Sequence, residues 1–66
     1  MSETIASERL LYRPEEAAKV LGLGRTKVYE LIASGELRSV KIGAARRVSA
    51  TALAEFVSRL DLDLAS

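Results

Sequence analysis

The chain has 66 residues, room for one small domain whose single core supplies about 3–5 kcal/mol. It contains no cysteine and no histidine, which excludes disulfides, thiolate metal sites, and the commonest general base and zinc ligand. The formal net charge is +1, too small by itself to name a partner.

Residues 1–8 carry no apolar periodicity and read as an N-terminal tail. They are polar and acidic, unlike a secretory leader, and no apolar run approaches the ~20 residues that span a bilayer. A cytoplasmic protein is expected. The domain itself is expected over 9–60, with 61–66 as a fraying C-terminal tail.

Leu10, Leu11 and Tyr12 are apolar enough to pack. A first helix is then expected from Pro14 to Leu21, since proline suits the first helical position. Glu15 and Glu16 complement the positive end of its dipole. They are adjacent, so they point apart and cannot act as a catalytic carboxylate pair. Gly22-Leu23-Gly24 reads as a tight turn in which Gly22 ends the helix and the Leu23 side chain plugs the gap to the next one.

A second helix is expected from Arg25 to Ala33 or Ser34, with Val28, Leu31 and Ile32 as its apolar stripe and Gly35 as its stop. From Leu37 the period changes. Val40-Lys41-Ile42 alternates like a half-buried strand, so Ser39–Ile42 and Arg46–Val48 should pair as a hairpin around Gly43-Ala44-Ala45. Ser49 is a good N-cap for a third helix from Ala50 to about Leu60, burying Leu53, Phe56, Val57 and Leu60.

The predicted fold is therefore mainly α with a small β-hairpin, in the order helix, turn, helix, hairpin, helix. Two short helices joined by a three-residue glycine turn form a helix-turn-helix, and a basic hairpin after them is a wing.

Charge follows the same division. Residues 25–47 carry Arg25, Lys27, Arg38, Lys41, Arg46 and Arg47 against Glu30 and Glu36, a net +4, while the segments before and after are net −1 and −2. That concentration suits a polyanion, although a solvated basic face would look the same. On the second helix, Arg25, Thr26 and Tyr29 cluster opposite the apolar stripe, flanked by Lys27 and Glu30. Arginine and threonine at the start of a recognition helix can reach base edges in the major groove, and Tyr29 suits a phosphate. In the hairpin, Arg47 and Lys41 are expected to meet the nucleic-acid backbone. Arg46, on the opposite face from Arg47, is expected to reach a phosphate near the second helix. No catalytic constellation, metal site or cofactor motif is present in the sequence.

The run from Leu10 to Gly22, then Thr26–Leu37, Val40–Gly43, Arg46–Ser49, Ala52-Leu53 and Phe56-Val57, resembles the excisionase-type, MerR-like DNA-binding domains. The resemblance covers residues 10–58. It implies a winged helix-turn-helix that binds double-stranded DNA, the second helix in the major groove and the wing in the adjacent minor groove. Arg25, Thr26, Lys27 and Tyr29 would be recognition-helix contacts, and Lys41, Arg46 and Arg47 wing contacts. Stand-alone members of this size are similar to recombination directionality factors. Those bind several sites cooperatively with further copies of themselves, bend the DNA, and direct an integrase, here of the tyrosine type, toward excision. They need no cofactor and are not enzymes. The chain departs from the pattern at Gly24, where a serine or threonine hydroxyl is frequent, and at Ala44-Ala45, where the wing is often basic or aromatic. A small transcription regulator, and a protein-interaction module with a basic face, remain as alternative functions.

Overall fold

The computed structural model describes residues 9–65, with side chains through 63. The expected N-terminal tail, 1–8, lies outside the described residues. The elements are β1 (Leu11–Tyr12), α1 (Pro14–Leu21), α2 (Arg25–Ser34), β2 (Val40–Ile42), β3 (Ala45–Ser49) and α3 (Ala50–Ala65). The three strands form one antiparallel sheet in the order β1-β3-β2.

Helix α1 starts where its first turn can be satisfied. The Arg13 backbone N–H donates to Glu16 Oε1 at 2.9 Å, and Arg13 O accepts the first helical bond from Ala17 at 2.8 Å. Arg9 also donates to the Glu16 carboxylate, and its guanidinium lies 4.7 Å from the centre of the Tyr12 ring. The helix ends on Gly22, whose φ of 71° lies in the left-handed region open to glycine. Two bonds close that end: Gly22 N–H to Lys19 O at 3.2 Å and Leu23 N–H to Ala18 O at 2.9 Å, a Schellman motif. The turn is thus held by backbone. The expected plug, the Leu23 side chain, is 38% exposed. Small Ala17 and Ala18 are buried instead, and let α1 lie directly against α2.

The core comprises Ala17, Ala18, Val28, Leu31, Leu37, Val48, Ala52, Leu53 and Phe56, with Tyr12, Leu21 and Ile32 packed on its edge. Leu37, Val28 and Val48 are its largest fully buried side chains. Each comes from a different segment, so the core locks the second helix, the loop after it and the central strand together.

The hairpin is one residue tighter than expected. Ile42 pairs with Ala45, which leaves Gly43-Ala44 as a two-residue turn with Gly43 at φ 62°. Glycine at the first of two turn positions with no other residue at positive φ is the pattern of a type II′ hairpin turn. Val40 and Ile42 are not half-buried as expected but 47% and 55% exposed. Strand β2 is a sheet edge whose main neighbour is β3, and among the described residues no layer covers it. Strand β1, not foreseen, adds the other edge through Leu11↔Ser49 and Tyr12↔Val48.

Ser49 caps α3 as expected, its Oγ accepting from Ala52 N–H at 3.0 Å. The helix then runs to Ala65 instead of stopping near Leu60. No glycine or proline follows Ser49 to break it. Its buried side is Ala52, Leu53 and Phe56, whereas Val57 and Leu60 are exposed. The buried core ends at Phe56, and among the described residues no element covers Val57 or Leu60.

Leu37 is fully buried in a core of mostly small residues. Leu37→Ala should cost about 2–5 kcal/mol, comparable with the whole stability of so small a domain. The expected result in circular dichroism is a chain largely unfolded at 37 °C.

The Arg9 side chain and the Arg13 N–H hold the Glu16 carboxyl well down, to about 2 from the ordinary 4.5. The stabilisation it brings is complete above about 4.5 and lost as pH falls toward about 2. Melting temperatures should show Glu16→Gln less stable than the parent at pH 7, with the difference closing through that acid window.

Candidate nucleic-acid interface

The exposed side of α2 forms a shallow concavity of about 680 Å³ lined by Gly24, Arg25, Thr26, Tyr29, Glu30 and Ala33. These residues lie opposite buried Val28 and Leu31, so the same periodicity that buries one stripe sets this one outward. A second cleft, of about 500 Å³, is lined by Arg13, Pro14, Glu15, Glu16, Tyr29, Ala44, Arg46 and Arg47. It lies between the start of α1, the side of α2 and the hairpin. Tyr29 lines both, so the helix face and the hairpin cleft are continuous at that ring.

Of the seven residues singled out from sequence, the structure brings five onto this continuous surface: Arg25, Thr26, Tyr29, Arg46 and Arg47. Lys27 and Lys41 are exposed but line neither concavity. Lys27 precedes buried Val28 by one residue and buried Leu31 by four, which puts it at the margin of the core stripe. Lys41 lies directly opposite Arg46 across the hairpin. Sequence reasoning missed Arg13, which the start of α1 sets on the cleft wall. The signal available was its place immediately before Pro14, at the end of a helix aimed at the same cleft.

The hydrogen bonds position several of these groups. Tyr29 Oη donates to Glu15 Oε2 at 3.4 Å, tying α2 to α1 at the junction of the two concavities. Arg46 Nη1 donates to Ser39 Oγ at 2.8 Å, across the hairpin, and Arg47 Nη1 donates to Arg46 O at 2.9 Å. The start of α2 carries no side-chain cap, because Gly24 supplies none. Its first N–H groups therefore point outward beside Arg25 without an internal acceptor.

Three cations are held within the scaffold. Arg9 is bound to Glu16, and Arg38 pairs with Glu55 at 2.8 Å. Arg59 donates to Glu36 O. Arg38, counted in the basic middle of the sequence, is thus part of the scaffold. Among the described residues, Arg13, Lys19, Arg25, Lys27, Lys41, Arg46, Arg47 and Arg59 have no carboxylate partner. Of these, Lys19, at the far end of α1, and Arg59, bound to a backbone carbonyl, lie off both concavities, as Lys27 and Lys41 do. Lys41 and Arg46 are even set side by side, an arrangement that costs stability within a sheet. Among the described residues no group of His, Cys, Asp and Glu could hold a metal ion, and no helix is long and apolar enough to cross a membrane.

Two short helices joined through a left-handed glycine, with a basic two-stranded hairpin beside the second, make this a winged helix-turn-helix domain. The family described as a helix-turn-helix domain matches residues 11–61. A probable excisionase of Saccharopolyspora erythraea is 58% identical over 52 residues, covering 79% of this chain and 53% of that protein. An excisionase of Streptomyces ambofaciens is 44% identical over 54 residues, covering 82% of this chain and 86% of that protein. The chain thus belongs to the excisionase family of helix-turn-helix proteins, although it spans only about half the length of the Saccharopolyspora relative. No solved structure matches it.

If Lys41 and Arg46 repel each other across the hairpin, Lys41→Glu should raise the stability of the free protein by about 0.2–1 kcal/mol. Urea unfolding at low salt measures this, and the gain should shrink at high salt. Gly24 has an ordinary φ of −77° and open space where a Cβ would stand. Gly24→Ser should therefore add a few tenths of a kcal/mol by capping α2.

Proposed function

We propose that the chain is a DNA-binding excisionase: an architectural protein without catalysis of its own that binds attachment-site DNA and turns an integrase of the tyrosine type toward excision. Helix α2 enters the major groove, with Arg25, Thr26 and Tyr29 toward the duplex and Lys27 at the margin, near a phosphate. The hairpin lies over the adjacent minor groove, with Lys41, Arg46 and Arg47 on the backbone. Arg13 adds a phosphate contact from the start of α1.

The observation that carries this reading is that Arg13, Arg25, Arg46 and Arg47 line one continuous surface with no carboxylate partner among the described residues. A polyanion is the ligand that offsets such a concentration of positive charge. The alanine-tipped turn favours straddling the minor groove over deep insertion. A single module of this kind covers about 600–1,000 Å², which gives modest affinity for one copy. Adjacent copies therefore bind cooperatively, and the bend they impose on the duplex brings the integrase sites into the excisive arrangement.

A titration on three duplexes tests the proposal: the arm of the attachment site, the promoter upstream of the gene, and random DNA, each at two salt concentrations. Stepwise, cooperative complexes on the attachment arm are expected. Preference for the promoter alone would make the protein a transcription regulator, and no preference at any salt would overturn sequence-specific binding altogether. With Arg13, Lys27, Lys41, Arg46 and Arg47 on phosphates, log affinity should fall with log salt at a slope of roughly −4.5. Arg25→Ala should lose about 1–3 kcal/mol and relax specificity. Arg47→Ala should weaken all three duplexes alike and lower the slope by about one.

A further inference from the structure

Glu30 lines the outward face of α2, flanking Arg25, Thr26 and Tyr29, yet a carboxylate there repels every phosphate the face approaches. It lines the same concavity as Arg25, Thr26, Tyr29 and Ala33. No cation of the described residues neutralises it: Lys27, three residues earlier on the same helix, closes no ion pair with it, and the ion pairs among them lie elsewhere. It caps nothing and bonds to no backbone group among the described residues. The fold therefore has no visible use for it, and non-specific DNA binding is weakened by it.

A carboxylate accepts hydrogen bonds and cannot donate them while ionised. In the major groove only the exocyclic amino groups of cytosine and adenine donate. Adenine sets its N7 acceptor beside that donor, where it would face a carboxylate oxygen. Cytosine presents N4–H₂ with no neighbouring acceptor of its own. Ala33, one turn further on the same face, is small enough to let the helix approach a base edge.

We propose that Glu30 is a specificity-determining residue that accepts a hydrogen bond from the N4 amino group of one cytosine in the target site. The inference rests on the DNA-binding reading above and adds to it a requirement for one base. Glu30 acts by difference: it is compensated where the cytosine is present and repelled where it is not. Its removal thus raises binding to random DNA while erasing discrimination at one position.

The test is selection of bound duplexes from a pool with a randomised core, performed with the parent protein and with Glu30→Gln, followed by titration of the selected sites. Circular dichroism melts should be alike, since Glu30 is exposed and unbonded. The parent is expected to select a position fixed as cytosine, and exchange of that C·G pair for T·A should weaken it roughly 5- to 150-fold. Glutamine both donates and accepts, and pairs with adenine N6 and N7. Glu30→Gln should therefore shift that position from cytosine toward adenine and bind the unselected pool more tightly. Selection of the same cytosine by both proteins, or tighter binding without any change of preference, would overturn the assignment. A parent protein that selects no sequence would instead overturn the DNA-binding reading on which it rests.

Discussion

Strand β3 is the constraint on which the other elements depend. It is the only strand paired on both sides among the described residues, to β1 through Tyr12↔Val48 and to β2 through Val40↔Arg47. Val48, fully buried, fixes which face of the strand meets the core. A slip of one residue would expel it and turn Arg47 inward, a change that a core this small could not survive. With the register fixed, Ser49 falls at the cap of α3, and Arg46 and Arg47 fall at the cleft beside α2. One buried valine thus sets both the scaffold helix and the position of the wing.

Around that strand, apolar burial and charge are kept on separate parts of the molecule. Alanines bring α1 against α2, and Leu31 and Leu37 fill the space behind. The outward half of α2 is left with polar side chains and an uncapped start. Arg9, Arg38 and Arg59 fasten peripheral segments to the body and are spent locally. The basic residues of α2 and the hairpin have no carboxylate partner among the described residues. Surface ion pairs contribute little stability individually, so leaving these cations unpaired costs the fold little. It keeps their full charge available to a polyanion. The Tyr29–Glu15 bond marks where the two halves of the surface meet.

Much of this organisation was legible in the residues. Pro14, Gly22 and Gly35 mark helix boundaries by chemistry that acts within a few residues, and the structure places α1 and α2 at the expected limits. Ser49 capped its helix for the same local reason. What the sequence hid was tertiary. Two apolar residues at Leu11-Tyr12 form a strand only because β3 offers an edge. Val40, Ile42, Val57 and Leu60 have the pattern of buried residues, but no element among the described residues covers them. The face of α2 followed from helical periodicity. Its continuity with the hairpin through Tyr29, the inclusion of Arg13 and the diversion of Arg38 to Glu55 required the packed structure.

The proposed recognition requires α2 and the hairpin to act as one DNA surface joined at Tyr29. Mapping backbone amide shifts by NMR as a duplex carrying the selected site is added tests this most directly. Residues 25–33 and 43–47 should shift together, with the Arg13 amide, while the half of α3 beyond Phe56 stays unchanged. Shifts centred on α3, or on the hairpin without α2, would contradict it.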